Sequence, residues 1–226
     1  MITPIARVFD EAALARVRLL LDAARFDPGG RTAGWHARLV KDNAQAAADD
    51  PRVAEAAGLV AAALRAHPVF QAAVLPRRLR PVTFARYRAG QAYGPHVDDA
   101  VMGLEDAAGP LRTDLAVTVF LAPRADYQGG ALVLDTPGGE LAWTLEAGDA
   151  LAYPATTLHH VAPVMAGERL VALTWVQSLV RDPGQRKLLF DLDMNIVELR
   201  RQLVDSPTLV SLTGVYHNLL RSWAEP

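Results

Sequence analysis

Apolar residues recur at helical spacing near both ends of the chain and at strand-like spacing between them. Asp10 is a good N-cap for a first helix, because apolar residues follow it at intervals of three and four. Asp50 and Pro51 combine a cap with proline at the first helical position, and they predict an alanine-rich helix to about Ala66. Apart from a short predicted strand at 34–40, the N-terminal third is therefore predicted to be helical.

From about residue 80 to residue 180 the pattern changes to short apolar or alternating runs. The run 115–121 is apolar almost throughout, as expected of a strand buried on both faces. Runs at 131–134 and 141–145 flank a Pro-Gly-Gly turn, which is typical of a hairpin. Further strands are predicted at 82–87, 150–154 and 169–177. Short strands with glycine and proline turns between them predict a sandwich or jelly roll.

The pattern returns to helix near the C-terminus. A cap followed by proline occurs at 182–183 and again at 206–207, each before apolar residues at helical spacing. We therefore predict an α+β protein in two parts. Residues 1–181 form one domain with a β core at about 80–180, and residues 182–226 form a C-terminal helical module.

Composition narrows the class of protein. The chain has 226 residues, of which 51% are hydrophobic and 21% charged, with a net charge of -2. Since no basic run stands out, neither nucleic acid nor an anionic membrane is an expected partner. Acidic residues come before any apolar run at the N-terminus, so no secretory signal is expected there. No segment approaches the roughly 20 apolar residues that span a bilayer. We expect a cytoplasmic protein. There is no cysteine, so any metal must be held by nitrogen and oxygen ligands.

Two histidine-containing segments are candidates for a metal site. His96 and Asp98 are two residues apart, so on an extended strand their side chains would point to the same side. One more histidine from a distant strand would complete a set of two imidazoles and one carboxylate. Such a set occupies one face of a ferrous ion and leaves the other positions open. His159 and His160 are adjacent, so on a strand they face opposite ways and only one of them can join the site.

Arg169 is the candidate for binding an anion. It is in phase with Val171, Leu173 and Trp175, so a regular strand would point it toward the same side as bulky apolar residues. An arginine in such surroundings needs an anionic partner. Its guanidinium would offer a fixed positive fork to a carboxylate-bearing cosubstrate.

These residues carry a resemblance to a known family. The run from Arg86-Tyr87 through Tyr93-Gly94 to His96-Val97-Asp98 resembles the iron-binding strand of the prolyl-hydroxylase-like 2-oxoglutarate oxygenases. More closely, and over essentially its whole length, the chain resembles the bacterial PKHD-type hydroxylases. The other matching segments are Arg112-Thr113-Asp114-Leu115, Tyr127-Gln128-Gly129-Gly130, Ala147-Gly148-Asp149, Tyr153-Pro154, Leu158-His159, Trp175-Val176-Gln177-Ser178, Leu189-Phe190-Asp191-Leu192-Asp193 and the run from Leu212 to Leu220.

The resemblance implies a fold, cofactors and roles for single residues. It implies a double-stranded β-helix (jelly-roll) core with N-terminal helices packed on it and a C-terminal helical pair. The implied cofactors are Fe(II), 2-oxoglutarate as cosubstrate and L-ascorbate as reductant. By position, His96, Asp98 and His159 are the iron ligands and Arg169 holds the distal carboxylate of 2-oxoglutarate. We expect the Tyr87 hydroxyl to add a hydrogen bond to the same carboxylate.

The implied reaction is hydroxylation of an unactivated C–H bond, with oxidative decarboxylation of 2-oxoglutarate to succinate and CO2. The substrate stays open between a peptidyl prolyl or lysyl side chain and a small molecule related to iron uptake. Asp99 and Ala131 depart from the family pattern and could alter substrate fit. The alternative is a non-catalytic jelly-roll sensor of iron or 2-oxoglutarate. The C-terminal helices are expected to supply no metal ligand, with His217 as a structural or interface histidine, and a homodimer stays open.

Overall fold

Sixteen strands are present in the part of the chain that the structure describes. The structure is a computed structural model, and it describes residues 1–31, 39–104, 109–203 and 206–226. The strands are β1 (Thr3–Ile5), β2 (Phe26–Pro28), β3 (Lys41–Asp42), β4 (Ala44–Ala46), β5 (Pro76–Leu79), β6 (Thr83–Arg88), β7 (Ala92–His96), β8 (Val101–Met102), β9 (Leu111–Arg112), β10 (Leu115–Phe120), β11 (Tyr127–Gly129), β12 (Leu132–Thr136), β13 (Gly139–Trp143), β14 (Ala150–Pro154), β15 (His159–Val161) and β16 (Val164–Ser178).

Five α-helices in the same described residues flank the strands, and their starts follow the predicted capping signals. The Asp10 carboxylate accepts a hydrogen bond from the Ala13 backbone N–H at 2.7 Å. Asp182 accepts one from Gln185 at 2.8 Å in the same way. Four of the helices were predicted and α3 was not. The helices are α1 (Glu11–Asp22), α2 (Pro51–Ala66), α3 (Pro68–Val74), α4 (Pro183–Gln202) and α5 (Pro207–Trp223).

The strands form two larger antiparallel sheets and one small pair. The major sheet has the order β1-β14-β10-β16-β6-β4-β2, and β5 and β11 also pair with the long strand β16. The minor sheet has the order β13-β12-β15-β7-β3, and β8 pairs with β9. The predicted hairpin is confirmed as β12 and β13. The predicted α+β class is therefore confirmed.

The central strand β10 shows how the major sheet divides the core. All six of its residues are buried. Leu115, Val117 and Val119 belong to an apolar cluster that the sheet shares with α1, α2 and α3. Ala116 and Phe120 belong to a second cluster, which lies between the major and the minor sheet. Burial on both faces is the physical reason why this strand was recognisable as a continuous apolar run.

The helices predicted in the N-terminal third are confirmed, but five short strands, β1 to β5, also lie there and were not predicted. β1 pairs with β14 and β5 pairs with β16, so each depends on a partner far along the chain. A strand of three or four residues has too few positions to show a periodic pattern. Whether such a segment forms a strand depends on pairing with its distant partner. The predicted strand at 34–40 falls mostly outside the described residues, and its last two residues are not in a strand.

The C-terminal helices pack on one another and on the end of the β core. α4 contacts both α3 and α5. Leu75, Val180 and Leu189 form a small buried cluster, against which Tyr216 and Trp223 of α5 pack. Both helices predicted after residue 182 are thus confirmed.

No single helix among the described residues is long and apolar enough to cross a membrane. α2 and α3 have a sufficient length and apolar composition only when taken together, and they are bent by 78° relative to each other.

Replacing the α4 cap tests the importance of the C-terminal helices for stability. Asp182→Ala removes the bond to the Gln185 N–H, and we expect the free energy of unfolding to fall by about 1 kcal/mol. Asp191→Ala is the matched control, because this exposed carboxylate only pairs with Lys187 one turn away, which is worth roughly 0.3–0.5 kcal/mol. Chemical denaturation measures both. Equal losses in the two variants would contradict a specific role for the cap.

Candidate active site

The three side chains predicted as metal ligands lie together between the two sheets. One potential ligand atom from each of His96, Asp98 and His159 lies within 4.8 Å of the other two. His159 Nε2 is 4.0 Å from Asp98 Oδ1, and both side chains are almost completely buried. The two imidazole rings are 4.2 Å apart between centroids. In the described part of the chain, this is the group of histidines and carboxylates that could hold a metal ion.

A β-bulge in β7 shapes this cluster. His159 pairs with His96 and Val161 pairs with Tyr93, so three residue steps on β7 oppose two on β15. The extra residue brings Tyr93 and His96 to the same side, where their rings stack with centroids 3.7 Å apart. A regular strand would have pointed them to opposite sides.

Asp98 reaches the cluster by a different route from the one predicted. β7 ends at His96, so Asp98 does not share an extended strand with it. The segment after Asp98 is held by Thr113, whose backbone N–H donates to Ala100 O at 3.0 Å and whose hydroxyl donates to Asp99 O. The expected pairing of His96 with Asp98 is therefore achieved, but by a segment tethered beyond the strand end.

Hydrogen bonds prepare both imidazoles to bind a metal through Nε2. His96 Nδ1 lies 2.9 Å from Gly94 O, and His159 Nδ1 lies 2.9 Å from Thr157 O. We assign the proton to Nδ1 in each ring, which leaves the Nε2 lone pair free. Burial, with His159 nearby, lowers the pKa of His96 to about 4, so the ring is neutral near pH 7. A metal-binding histidine must be neutral.

The Asp98 carboxyl is suited to a cation but has little to stabilise its charge in the protein alone. Burial raises the pKa of Asp98, and its Oδ2 is buried without a hydrogen-bond partner. A cation at this point would compensate the buried carboxylate. Two imidazoles and one carboxylate are the donor set of mononuclear ferrous oxygenases, so the residues fit Fe(II).

Arg169 lies in the same space between the sheets and has no anionic partner there. It is 1% exposed, and its Nε and Nη1 are buried without hydrogen-bond partners. It pairs in register with Tyr87, whose ring centroid is 5.1 Å from the guanidinium carbon. Burial lowers the pKa of Arg169, but its ordinary value is so high that the group stays charged. A buried cation without an anion is costly, so an anionic ligand at this point would stabilise Arg169.

Two further polar side chains lie beside Tyr87 and Arg169, and the sequence analysis assigned neither of them a role. Asn43, between β3 and β4, lies beside Tyr87, and Tyr127 lies beside Arg169. The amide atoms of the Asn43 side chain and the Tyr127 hydroxyl are buried without hydrogen-bond partners. Gly130 has a φ of +64°, and a Cβ there would lie 3.0 Å from Arg169 Cδ. The two glycines after Tyr127 were the available sign of a close approach, whereas no pattern marked Asn43.

The other candidate histidines stay out of the cluster. His160 pairs with Val133 on β12 and is only partly buried. His217 is exposed on α5 and contacts Tyr216, with ring centroids 5.3 Å apart. Neither belongs to the group of possible metal ligands found among the described residues.

Comparison with known proteins gives family matches over the central part and the C-terminal part of the chain. Residues 82–177 match the model of the 2OG-Fe(II) oxygenase superfamily, and residues 183–225 match the PKHD-type hydroxylase C-terminal domain. A PKHD-type hydroxylase of Shewanella sp. strain MR-7 is 44% identical over 225 residues, which cover 100% of both chains. One of Xanthomonas campestris pv. campestris is 44% identical over 227 residues, again with 100% of both chains covered.

A solved structure shows the same fold at low identity. A prolyl hydroxylase from Trichoplax adhaerens, determined in complex with a hypoxia inducible factor peptide fragment, is 16% identical with a TM-score of 0.58. The match covers 83% of this chain and 86% of the other. At this identity the likeness concerns the fold alone, whereas the full-length relatives show the family. At 44% identity over their whole length, they show that the chain belongs to the PKHD-type hydroxylase family of 2OG-Fe(II) oxygenases.

Proposed function

We propose that His96, Asp98 and His159 hold Fe(II), and that Arg169 with Tyr87 holds 2-oxoglutarate, in a hydroxylase acting on an unactivated C–H bond. The observation that carries the proposal is the joint presence, between the same two sheets, of the ligand cluster and a buried arginine without an anion. When bound, the ferrous ion and 2-oxoglutarate supply the oxygen chemistry, in which the cosubstrate is decarboxylated to succinate and CO2.

The residues of this chain would bind and orient the metal and the cosubstrate, and they would exclude water from the site. The Nδ1–H groups of the two histidines donate to backbone carbonyls and so direct Nε2 toward the metal. Tyr93 stacks on His96 and limits rotation of that ring. Arg169 offers charge-assisted hydrogen bonds to the distal carboxylate in a site closed to water, where such bonds are strong.

The detailed architecture, the domain boundaries, the reductant, the location and the partners of the protein are also proposals. We propose that the two sheets are the layers of a double-stranded β-helix and that residues 1–181 are the oxygenase domain. Residues 182–226 would be a C-terminal module, which the start of α4 at Pro183 supports. Ascorbate as reductant, a cytoplasmic location, a homodimer and the lack of nucleic acid or membrane partners stay predictions.

The substrate is proposed in two classes, a peptidyl prolyl or lysyl side chain and an iron-uptake-related small molecule. The alternative of a non-catalytic sensor is not favoured, because the homologues are hydroxylases and the ligand cluster is complete. Release of succinate decides between enzyme and sensor. The purified protein with Fe(II), 2-oxoglutarate and ascorbate should release succinate in air and not under nitrogen, and a substrate of either class should increase the rate. A protein that binds both ligands but releases no succinate would be a sensor.

Tyr87→Phe is expected to weaken 2-oxoglutarate binding by about 10- to 100-fold. A hydrogen bond to a charged group is worth about 1.5–3 kcal/mol, and the ring that remains keeps the packing of this buried residue. Anaerobic titration of the Mn(II)-loaded protein with 2-oxoglutarate gives the dissociation constant. Tyr216→Phe, on the C-terminal helix, is the control and should leave it unchanged. If both variants bind as tightly as the wild type, the Tyr87 hydroxyl makes no contact with the cosubstrate.

A further inference from the structure

A row of three side chains crosses the major sheet beside the ligand cluster. Ala116 in β10 pairs in register with Tyr153 of β14 on one side and with Trp175 of β16 on the other. All three pack in the apolar cluster between the two sheets. The edge of the Tyr153 ring meets the His159 ring, with centroids 5.2 Å apart. One end of the row therefore contacts a histidine of the cluster, and Trp175 forms the other end.

The segment that carries Asp98 is joined to the same part of the sheet. Thr113 binds the backbone of Asp99 and Ala100, directly after Asp98. The next residue, Asp114, donates its N–H to the carbonyl of Val176 at 3.0 Å, and Val176 follows Trp175 in β16. Two successive residues thus connect the Asp98 segment to the strand that presents the indole.

Asp98 and Trp175 each have one buried polar atom without a partner. These atoms are Asp98 Oδ2 and Trp175 Nε1, which form no hydrogen bond of acceptable geometry in the protein alone. The indole N–H nevertheless lies close enough to Asp98 to interact with its carboxylate. An indole nitrogen can only donate and a carboxylate can only accept, so the two atoms are complementary. Asp98 Oδ1, the other oxygen, faces His159 Nε2 at 4.0 Å.

We propose that Trp175 is a positioning residue for the metal centre. Its indole N–H donates to Asp98 Oδ2, which leaves Oδ1 as the oxygen that binds the metal. The inference rests on the proposed function, because it requires a metal at His96, Asp98 and His159. Partners that orient a ligating carboxylate raise metal affinity, and their loss costs roughly 10- to 100-fold.

Trp175→Phe removes the N–H and keeps an aromatic ring in the core. Trp143→Phe is the matched control, because Trp143 also packs between the sheets with a buried, unpartnered Nε1. It lies on β13 at the edge of the minor sheet, with β12 and β15 between it and β7. The affinity of the metal-free protein for Co(II) alone is measured anaerobically, in competition with a chelating dye. We expect Trp175→Phe to bind Co(II) roughly 10- to 100-fold more weakly, and Trp143→Phe to differ from the wild type by less than about threefold.

A second readout separates positioning from a general loss of structure. With Mn(II) at saturating concentration, the Trp175→Phe protein should bind 2-oxoglutarate within about threefold of the wild type, because Arg169 is unchanged. Equal Co(II) affinity in the wild type and in both variants would overturn the proposal. A loss of 2-oxoglutarate binding as large as the loss of Co(II) binding would overturn it as well, since it would indicate a disordered pocket.

The wild-type protein provides a test that does not depend on whether Trp175→Phe folds. The chain has four tryptophans, so the Trp175 indole signal can be assigned in 15N spectra by elimination, from phenylalanine variants at the other three positions. On addition of Zn(II), this N–H signal should move and its exchange with D2O should slow. An unchanged signal in a protein that has bound Zn(II) would refute the role of Trp175 while leaving the proposed function intact. A wild-type protein that binds no divalent metal would refute both.

Discussion

His159→Ala is expected to abolish turnover of 2-oxoglutarate, whereas His160→Ala should retain it. His159 is buried within the ligand cluster, and removing its imidazole takes away one of the three groups available to hold the metal. Removing a residue that only hydrogen-bonds to a metal ligand costs up to roughly 100-fold in metal affinity. Removing the ligand itself should cost more. Succinate release and anaerobic Co(II) binding measure the two effects separately.

The adjacent histidine makes this comparison a matched one. His160 is on the same short strand but pairs with Val133, so its removal leaves the cluster complete. The fold should persist in both variants, because the two apolar clusters on either side of the major sheet carry the core. Full activity in His159→Ala together with loss in His160→Ala would show that the ligand assignment is wrong.

Arg169→Ala is expected to raise the KM for 2-oxoglutarate by at least about tenfold while metal binding is retained. Losing a buried, charge-assisted contact costs about 2–5 kcal/mol, which corresponds to roughly 30- to several-thousand-fold in affinity. Arg169→Lys should recover only part of the loss, because it restores the charge without the planar fork. Arg88→Ala is the control, since this exposed arginine pairs with Glu168 on the same two strands. An unchanged KM in Arg169→Ala would mean that the cosubstrate is anchored elsewhere.

Replacing Arg169 by an uncharged residue should have opposite effects on 2-oxoglutarate binding and on the stability of the ligand-free protein. In the ligand-free protein its charge is buried without an anion, which costs free energy. Arg169→Met fills a similar volume without the charge, so it should raise the melting temperature of the ligand-free protein while preventing 2-oxoglutarate binding. A lower melting temperature in this variant would indicate that the guanidinium has a stabilising partner in the folded protein.

Local signals in the chain were sufficient to predict the helices that begin at caps and the strands buried on both faces. Asp10, Asp50 and Asp182 each cap a helix as expected, because capping depends on residues within one turn. β10 was recognisable because all its residues are buried. The phase of Arg169 with its neighbours in β16 likewise placed it on the inner face, since alternation along a strand needs no knowledge of the partner strands.

The sequence by itself determined the residue types of the site and the caps, apolar runs and turns of the main elements, because these depend on near neighbours. Only the tertiary structure decided how the site is assembled. The bulge in β7, the hydrogen bonds of Thr113 to the segment after Asp98, and the approach of Asn43 to Tyr87 and of Tyr127 to Arg169 all depend on contacts between distant segments. The short strands β1 to β5 depend on distant partners in the same way. Such contacts leave no periodic pattern along the chain, since the free energy that fixes them comes from pairing and burial after the sheets have formed.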